Sequence, residues 1–272
     1  MWEQARKHWP EYLIEAWALG TFMISAGVFT VLIEHPDFGV PAVIESAPLR
    51  RALIGLAMGM TAVALIYSPW GRRSGAHMNP AVTLTFWWLG KVRSDDALAY
   101  IAAQFAGGVL GVLAVLAVFG ERFAAPPVSF VATLPARGTA VAFALELVIS
   151  CVLMLTVLAF SSSARLAPYT GLAAGVLVAA YIAFEAPYSG MSMNPARSFA
   201  SAAPAGRFAD LWIYFCAPPL GMWLAAALDR TLAPRTGAGH ACAKLVHATD
   251  SRCIHCGFEP AVVLPGSVVD AR

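Results

Sequence analysis

Four residues, Met-Asn-Pro-Ala, occur at Met78–Ala81 and again at Met193–Ala196. Neither copy supplies a nucleophile, a base or a metal ligand. Each supplies a helix start with a polar arm. Proline is favoured at the first helical position, where its missing N–H would find no partner anyway. Asn immediately before it is a preferred N-cap. Asn79 and Asn194 are therefore expected to open short helices, roughly Pro80–Leu89 and Pro195–Ala203, with Pro80, Ala81, Pro195 and Ala196 forming their first turns. Each Asn carbonyl can accept from the amides of its own helix, which leaves the NH₂ as a donor. That chemistry is hydrogen bonding to an oxygen atom. No nucleophile–base pair or in-membrane metal cluster accompanies it, so catalytic residues are expected to be absent and the chain is not read as an enzyme.

The elements that must position these arms follow from composition. The chain has 272 residues, 59% hydrophobic and 12% charged. A soluble domain carries roughly 25% charged residues, so this is read as an integral membrane protein. The net charge of +2 says nothing about nucleic acid. Apolar runs lie at Tyr12–Ile33, Ala52–Gly71, Ala97–Gly120, Gly138–Ala164, Leu166–Phe184 and Leu211–Leu228. Each is near the ~20 residues that a helix needs to cross a bilayer. They are continuously apolar and do not alternate, which favours helices over a barrel. Ser74–Gly90 and Ser189–Gly206 are too short and carry the two motifs. They read as re-entrant segments, the rival being a full seventh span at Ser74–Gly90.

The expected fold is all-α: six transmembrane helices and two re-entrant half-helices. Each half runs span, span, re-entrant piece, span, and Glu15 and Glu146 fall within the first span of their halves. Three spans is an odd number, so the halves enter the membrane from opposite sides and form an inverted repeat. The organisation is a terminus over 1–11, a channel domain over 12–232 (repeats about 12–120 and 138–230) and a tail over 233–272. Arg6, Lys7, Arg72, Arg73, Lys91 and Arg93 fall on the face of both termini. That bias makes the face cytoplasmic. Two half-helices aimed at one spot add their positive ends there, which repels cations, hydronium included. A coupled transporter usually shows ionisable residues near the midplane. Here only Glu15 and Glu146 qualify, at matched positions that suggest loop support. A passive channel is the better class.

"SGAHMNPAVT" (Ser74–Thr83) and "SGMSMNPARS" (Ser189–Ser198) resemble the paired signature loops of the aquaporin and glycerol-facilitator family. Gln104 in "AAQFAGG" and the run "WIYFCAPPLG" add to the resemblance, which covers about residues 12–230. It implies a homotetramer with one pore per subunit, no required cofactor, and passage of water or small neutral solutes. Glu15 stands two residues further from its following Gly-Thr than is usual in the family. The resemblance implies a filter of four corners. Arg197 and Met191 carry over from the second loop, and Ile182 from the fifth span. Met58 is preferred to Gly59 on the second span. Water-selective members usually have His where this chain has Ile182. Glycerol facilitators usually have two aromatic corners, and Met58 and Met191 are not aromatic. Ser198, Ala202 and Tyr214–Phe215 follow the water-channel pattern. Two readings stay open: a pore for water, or one mainly for neutral solutes such as glycerol, urea, hydrogen peroxide or metalloid acids. His77 and Glu185 are candidates for the vestibules, the alternatives being a loop-holding hydrogen bond for His77 and, for Glu185 three residues after Ile182, a helix-end carboxylate at the interface; a bacterial inner membrane is the expected location.

The tail concentrates Cys and His. Cys242, His247, Cys253 and Cys256 form Cys-x4-His-x5-Cys-x2-Cys, with His240 and His255 as spare ligands. That set is compatible with tetrahedral zinc. Redox-sensitive thiols and a tail with incidental Cys are the alternatives.

Overall fold

The computed structural model describes residues 2–236, 242–247 and 252–259. Their order is α1 (Trp2–Glu34), α2 (Ala47–Tyr67), α3 (Pro80–Trp88), α4 (Ser94–Phe119), α5 (Thr139–Ser161), α6 (Thr170–Phe184), α7 (Pro195–Ala205) and α8 (Leu211–Thr236), with short turns between. Among the described residues no strand occurs. Six helices among the described residues are long and apolar enough to cross a membrane, and α3 and α7 are the half-helices. At nine residues and ~1.5 Å per residue, α3 is far too short to span. That disposes of a seventh span.

Two boundaries differ from the sequence reading. α1 starts at Trp2, well before Tyr12. Charged residues end an apolar window without ending a helix, since Lys, Arg and Glu are good helix formers. Glu11 is buried in this extension because Arg73 Nε donates to its Oε1 at 3.0 Å. α2 stops at Tyr67, four residues short of Gly71. Ser68 leaves the helix and caps a new turn, Pro69–Ser74, accepting from Gly71 N–H at 2.9 Å.

The helices pair according to the repeat. α1 packs on α4 and α5 packs on α8, while α2 packs on α6 across the two halves. Small residues make the close crossings, as expected where no water drives association. A Cβ on Gly107 would lie 2.0 Å from the Ala16 carbonyl oxygen, and one on Gly221 would lie 2.2 Å from that of Leu147. The half-helices are exchanged between halves: α3 packs on α8, and α7 on α4. Each half therefore packs against the other's half-helix.

Candidate functional site

Asn79 and Asn194 cap α3 and α7. Asn79 Oδ1 accepts from Ala81 N–H at 2.9 Å. Asn194 Oδ1 accepts from Ala196 N–H at 3.1 Å and from Arg197 N–H at 3.2 Å. The two NH₂ groups cross over. Asn79 Nδ2 donates to the Met193 carbonyl, and Asn194 Nδ2 donates to the Met78 carbonyl, both at 2.7 Å. One N–H of each amide is thus spent tying the two loops together. This crossing carries no local sequence signal.

Behind each loop stands a buried carboxylate. Glu146 Oε1 accepts from the Ser189 hydroxyl at 2.8 Å and Ser192 N–H at 2.7 Å, and Oε2 from Met193 N–H at 2.7 Å. Glu15 Oε1 accepts from the Ser74 hydroxyl at 2.8 Å and His77 N–H at 3.1 Å. Its Oε2 accepts from Met78 N–H at 2.7 Å and Gln104 Nε2 at 2.8 Å. The shifted spacing of Glu15 does not stop it reaching its loop. The Tyr100 and Tyr214 hydroxyls donate to the Ser74 and Ser189 carbonyls at 2.8 and 2.5 Å. Met78 and Met193 take φ of 50° and 55°, a left-handed conformation costly for a side chain of this size. That turn aims their N–H groups at the carboxylates, which hold them there.

A cavity of about 490 Å³ runs between the loops. Both Asn side chains line it. So do Ile54, Met58, Ala62 and Ile66, at helical spacing along one face of α2, and Ala174, Val178 and Ile182 along α6. Gly59 points elsewhere: a Cβ there would lie 2.6 Å from the Gly175 carbonyl oxygen in the α2–α6 crossing. Met58 is therefore the residue that faces the cavity. Met191 and Arg197 also line the cavity, and Arg197 Nη1 donates to Thr133 Oγ1 at 3.1 Å. Thr133 belongs to the segment between α4 and α5. That segment folds over this mouth and adds Val128, Val131 and Leu134 to the lining. The sequence reading missed it, because nothing in a loop's composition says where it folds.

Glu185 is not among the lining residues, contrary to the vestibule expectation. It ends α6 with its backbone N–H on the Tyr181 carbonyl, and burial raises the pKa of its carboxyl. Among the described residues it makes no ion pair with Arg197. His77 does line the cavity, at the opposite end from Arg197. Its Nε2 donates to the Ala243 carbonyl at 2.8 Å, which leaves Nδ1 to face Thr83 Oγ1 at 3.1 Å.

Ala243 belongs to the tail. Cys242, His247, Cys253 and Cys256 come together there, with one donor atom from each lying within 4.8 Å of the others. Cys242 and Cys253 are buried and Cys256 is exposed. His255 does not join them. Its ring stacks on His77 at 5.7 Å, and its Nε2 donates to the Ser74 carbonyl at 3.2 Å. Burial, and then the adjacent His77 ring, holds the His255 pKa down to about 3. His240 lies outside the described residues.

Comparison with known proteins agrees with this architecture. The family model described as "Major intrinsic protein" matches residues 5–228. The chain is 38% identical over 213 residues to "Aquaporin NIP1-2" of Oryza sativa subsp. japonica, covering 77% of this chain and 67% of the relative. It is 30% identical over 234 residues to "Probable aquaporin NIP7-1" of Arabidopsis thaliana, covering 84% and 78%. These relatives are plant proteins, so the expectation of a bacterial inner membrane finds no support among them. Among solved structures, the aquaglyceroporin from Plasmodium falciparum superposes with a TM-score of 0.70 over 85% of this chain and 99% of that one. At 18% identity that likeness speaks for the fold alone. The chain belongs to the major intrinsic protein family.

Proposed function

We propose that the chain conducts water and small uncharged polar solutes passively, past the two Asn caps, and excludes ions and protons there. The cross-bracing carries this reading. Asn79 and Asn194 line one cavity, and each gives one N–H to the opposite loop. The second N–H of each is left for a passing oxygen. The positive ends of α3 and α7 add at the same spot, which favours an oxygen lone pair and opposes a cation.

Met58, Ile182, Met191 and Arg197 form the proposed filter. Arg197 is its strong donor. Ile182 supplies neither a donor nor the bulk of a ring, and two flexible Met side chains adapt their shape. Ile182 favours a pore that also admits solutes larger than water, such as glycerol, urea, hydrogen peroxide or undissociated metalloid acids. Glu15 and Glu146 act as loop braces, and His77 as part of the second vestibule. The subunit is proposed to work in a homotetramer, with both termini cytoplasmic as the charge bias favours. No cofactor is needed for permeation. The tail cluster has the donor set of a structural zinc site.

The test is stopped-flow light scattering on proteoliposomes prepared with a zinc chelator, which fixes the state of the tail. Osmotic shrinkage faster than in empty vesicles is expected, with re-swelling in glycerol or urea. Shrinkage and re-swelling no faster than in empty vesicles refute the reading.

A further inference from the structure

We propose that the tail cluster binds Zn²⁺ and that the metal holds the tail as a plug in one mouth of the conduit. The inference rests on reading the chain as a passive channel.

The ligands come first. Tetrahedral zinc with Zn–S bonds of about 2.3 Å places its donors roughly 3.8 Å apart. Cys242 Sγ lies 3.3 Å from Cys253 Sγ, and His247 Nε2 lies 3.2 Å from Cys256 Sγ. With every pair inside 4.8 Å, a small outward shift admits the ion. Contacts joining residues 242–247 to 252–259 run largely through these ligands, with the His247 ring on Phe258 beside them. So short a piece of chain cannot bury a core of its own, and a metal supplies that missing folding energy. On binding, the three thiols each release one proton and the imidazole binds neutral.

What the folded tail covers comes next. Leu245 N–H donates to the Gly75 carbonyl at 3.2 Å, and Lys244 Nζ donates to the Arg72 carbonyl at 3.1 Å. His255 takes the Ser74 carbonyl, and the Ala243 carbonyl takes the His77 ring. The tail thus occupies the polar groups by which the first re-entrant loop would meet solvent at this mouth. Arg252 pairs with Glu11 at 3.6 Å and bonds the Lys7 carbonyl, fixing the tail to α1 as well. Leu245 is buried and lines the cavity itself, as Ile66, Ala76 and Ala174 do. An apolar side chain in that place offers a permeant oxygen no hydrogen bond and takes up its path. Four ligands hold the tail's shape, and Leu245 blocks the way.

The experiment uses the full-length chain in proteoliposomes, with zinc content and osmotic permeability measured on the same preparations. Wild type is expected to carry one zinc per chain. A membrane-permeant chelator should raise its permeability at least about tenfold, the ratio set by a seated fraction of ~90% or more. Added zinc should reverse the change. Cys253→Ser with Cys256→Ser should lose zinc and stay open throughout. Leu245→Ala should keep its zinc and be open in its presence, a result that a merely structural zinc site does not give. Absence of zinc uptake by wild type overturns the metal site. Zinc uptake with permeability unchanged by chelation, and equal to that of Leu245→Ala, overturns the plug. If the chelated, double-Ser and Leu245→Ala proteins are all impermeable, the channel reading itself fails.

Discussion

Replacing Glu146 with Gln removes one negative charge and turns an acceptor oxygen into a donor at almost no change of volume, yet it should loosen the second re-entrant loop. The carboxylate is fully buried and accepts three donors. If the Gln oxygen takes the Oε1 position, its NH₂ faces Met193 N–H. If the oxygen takes the Oε2 position, the NH₂ faces Ser192 N–H, while the Ser189 hydroxyl can turn and accept. Either way a backbone N–H bonded at 2.7 Å loses its acceptor. A bond to a charged acceptor is worth about 1.5–3 kcal/mol and a stranded buried donor costs about 1–3 kcal/mol; the two overlap, so a loss of about 2–4 kcal/mol is expected. At roughly 2–4 °C per kcal/mol, the melting temperature in detergent should drop by roughly 5–15 °C. Glu15→Gln is the internal control. There the Gln oxygen can keep Met78 and Gln104, Ser74 can turn, and the stranded donor is His77 N–H, whose bond is the longer 3.1 Å. Its drop should be smaller. A Glu146→Gln protein that melts with the parent, or above Glu15→Gln, would refute the bracing argument.

The remaining expectations concern the conduit. Met58→Ala should raise glycerol entry into vesicles and, as a buried large-to-small change, cost about 2–5 kcal/mol, whereas Gly59→Ala should cost about 1–3 kcal/mol by forcing the α2–α6 crossing apart, without raising solute entry; solute uptake on both variants separates the two positions. Ile182→His adds bulk and a donor, so the ratio of water to glycerol permeability should rise; an unchanged ratio removes Ile182 from the filter. Arg197→Ala takes away the fixed positive charge at that level and should let a proton gradient decay faster, read with an internal pH dye.

How much of this was legible depended on whether the signal was local. Asn followed by Pro fixes a helix start from neighbouring residues alone, so Pro80 and Pro195 are where the sequence puts them. The end of α7 ran two residues past Ala203, because Pro204 is tolerated there and the chain turns at Gly206 with φ of 65°. Repeat counting likewise needed only apolar lengths. The exchange of loops between halves, the Thr133 contact to Arg197 and the burial of Leu245 depend on residues tens to hundreds of positions apart. No periodicity encodes them. The four tail ligands could be picked out by residue type, but their seat against Ser74 and His77 could not. For Glu185 the helix-end reading matches its place at the end of α6, while the vestibule reading does not hold, because a position three residues after Ile182 gives a direction along α6 and says nothing of what the neighbouring loop covers.

The central claim is that oxygen-bearing neutral molecules pass the Asn79–Asn194 crossing while positive ions do not. The most direct measurement is water flux and proton flux on one batch of chelator-treated proteoliposomes, by light scattering and by an internal pH dye. Osmotic shrinkage well above that of empty vesicles is expected, with a proton leak indistinguishable from theirs. Protons crossing together with water, or no gain in water flux, would contradict it.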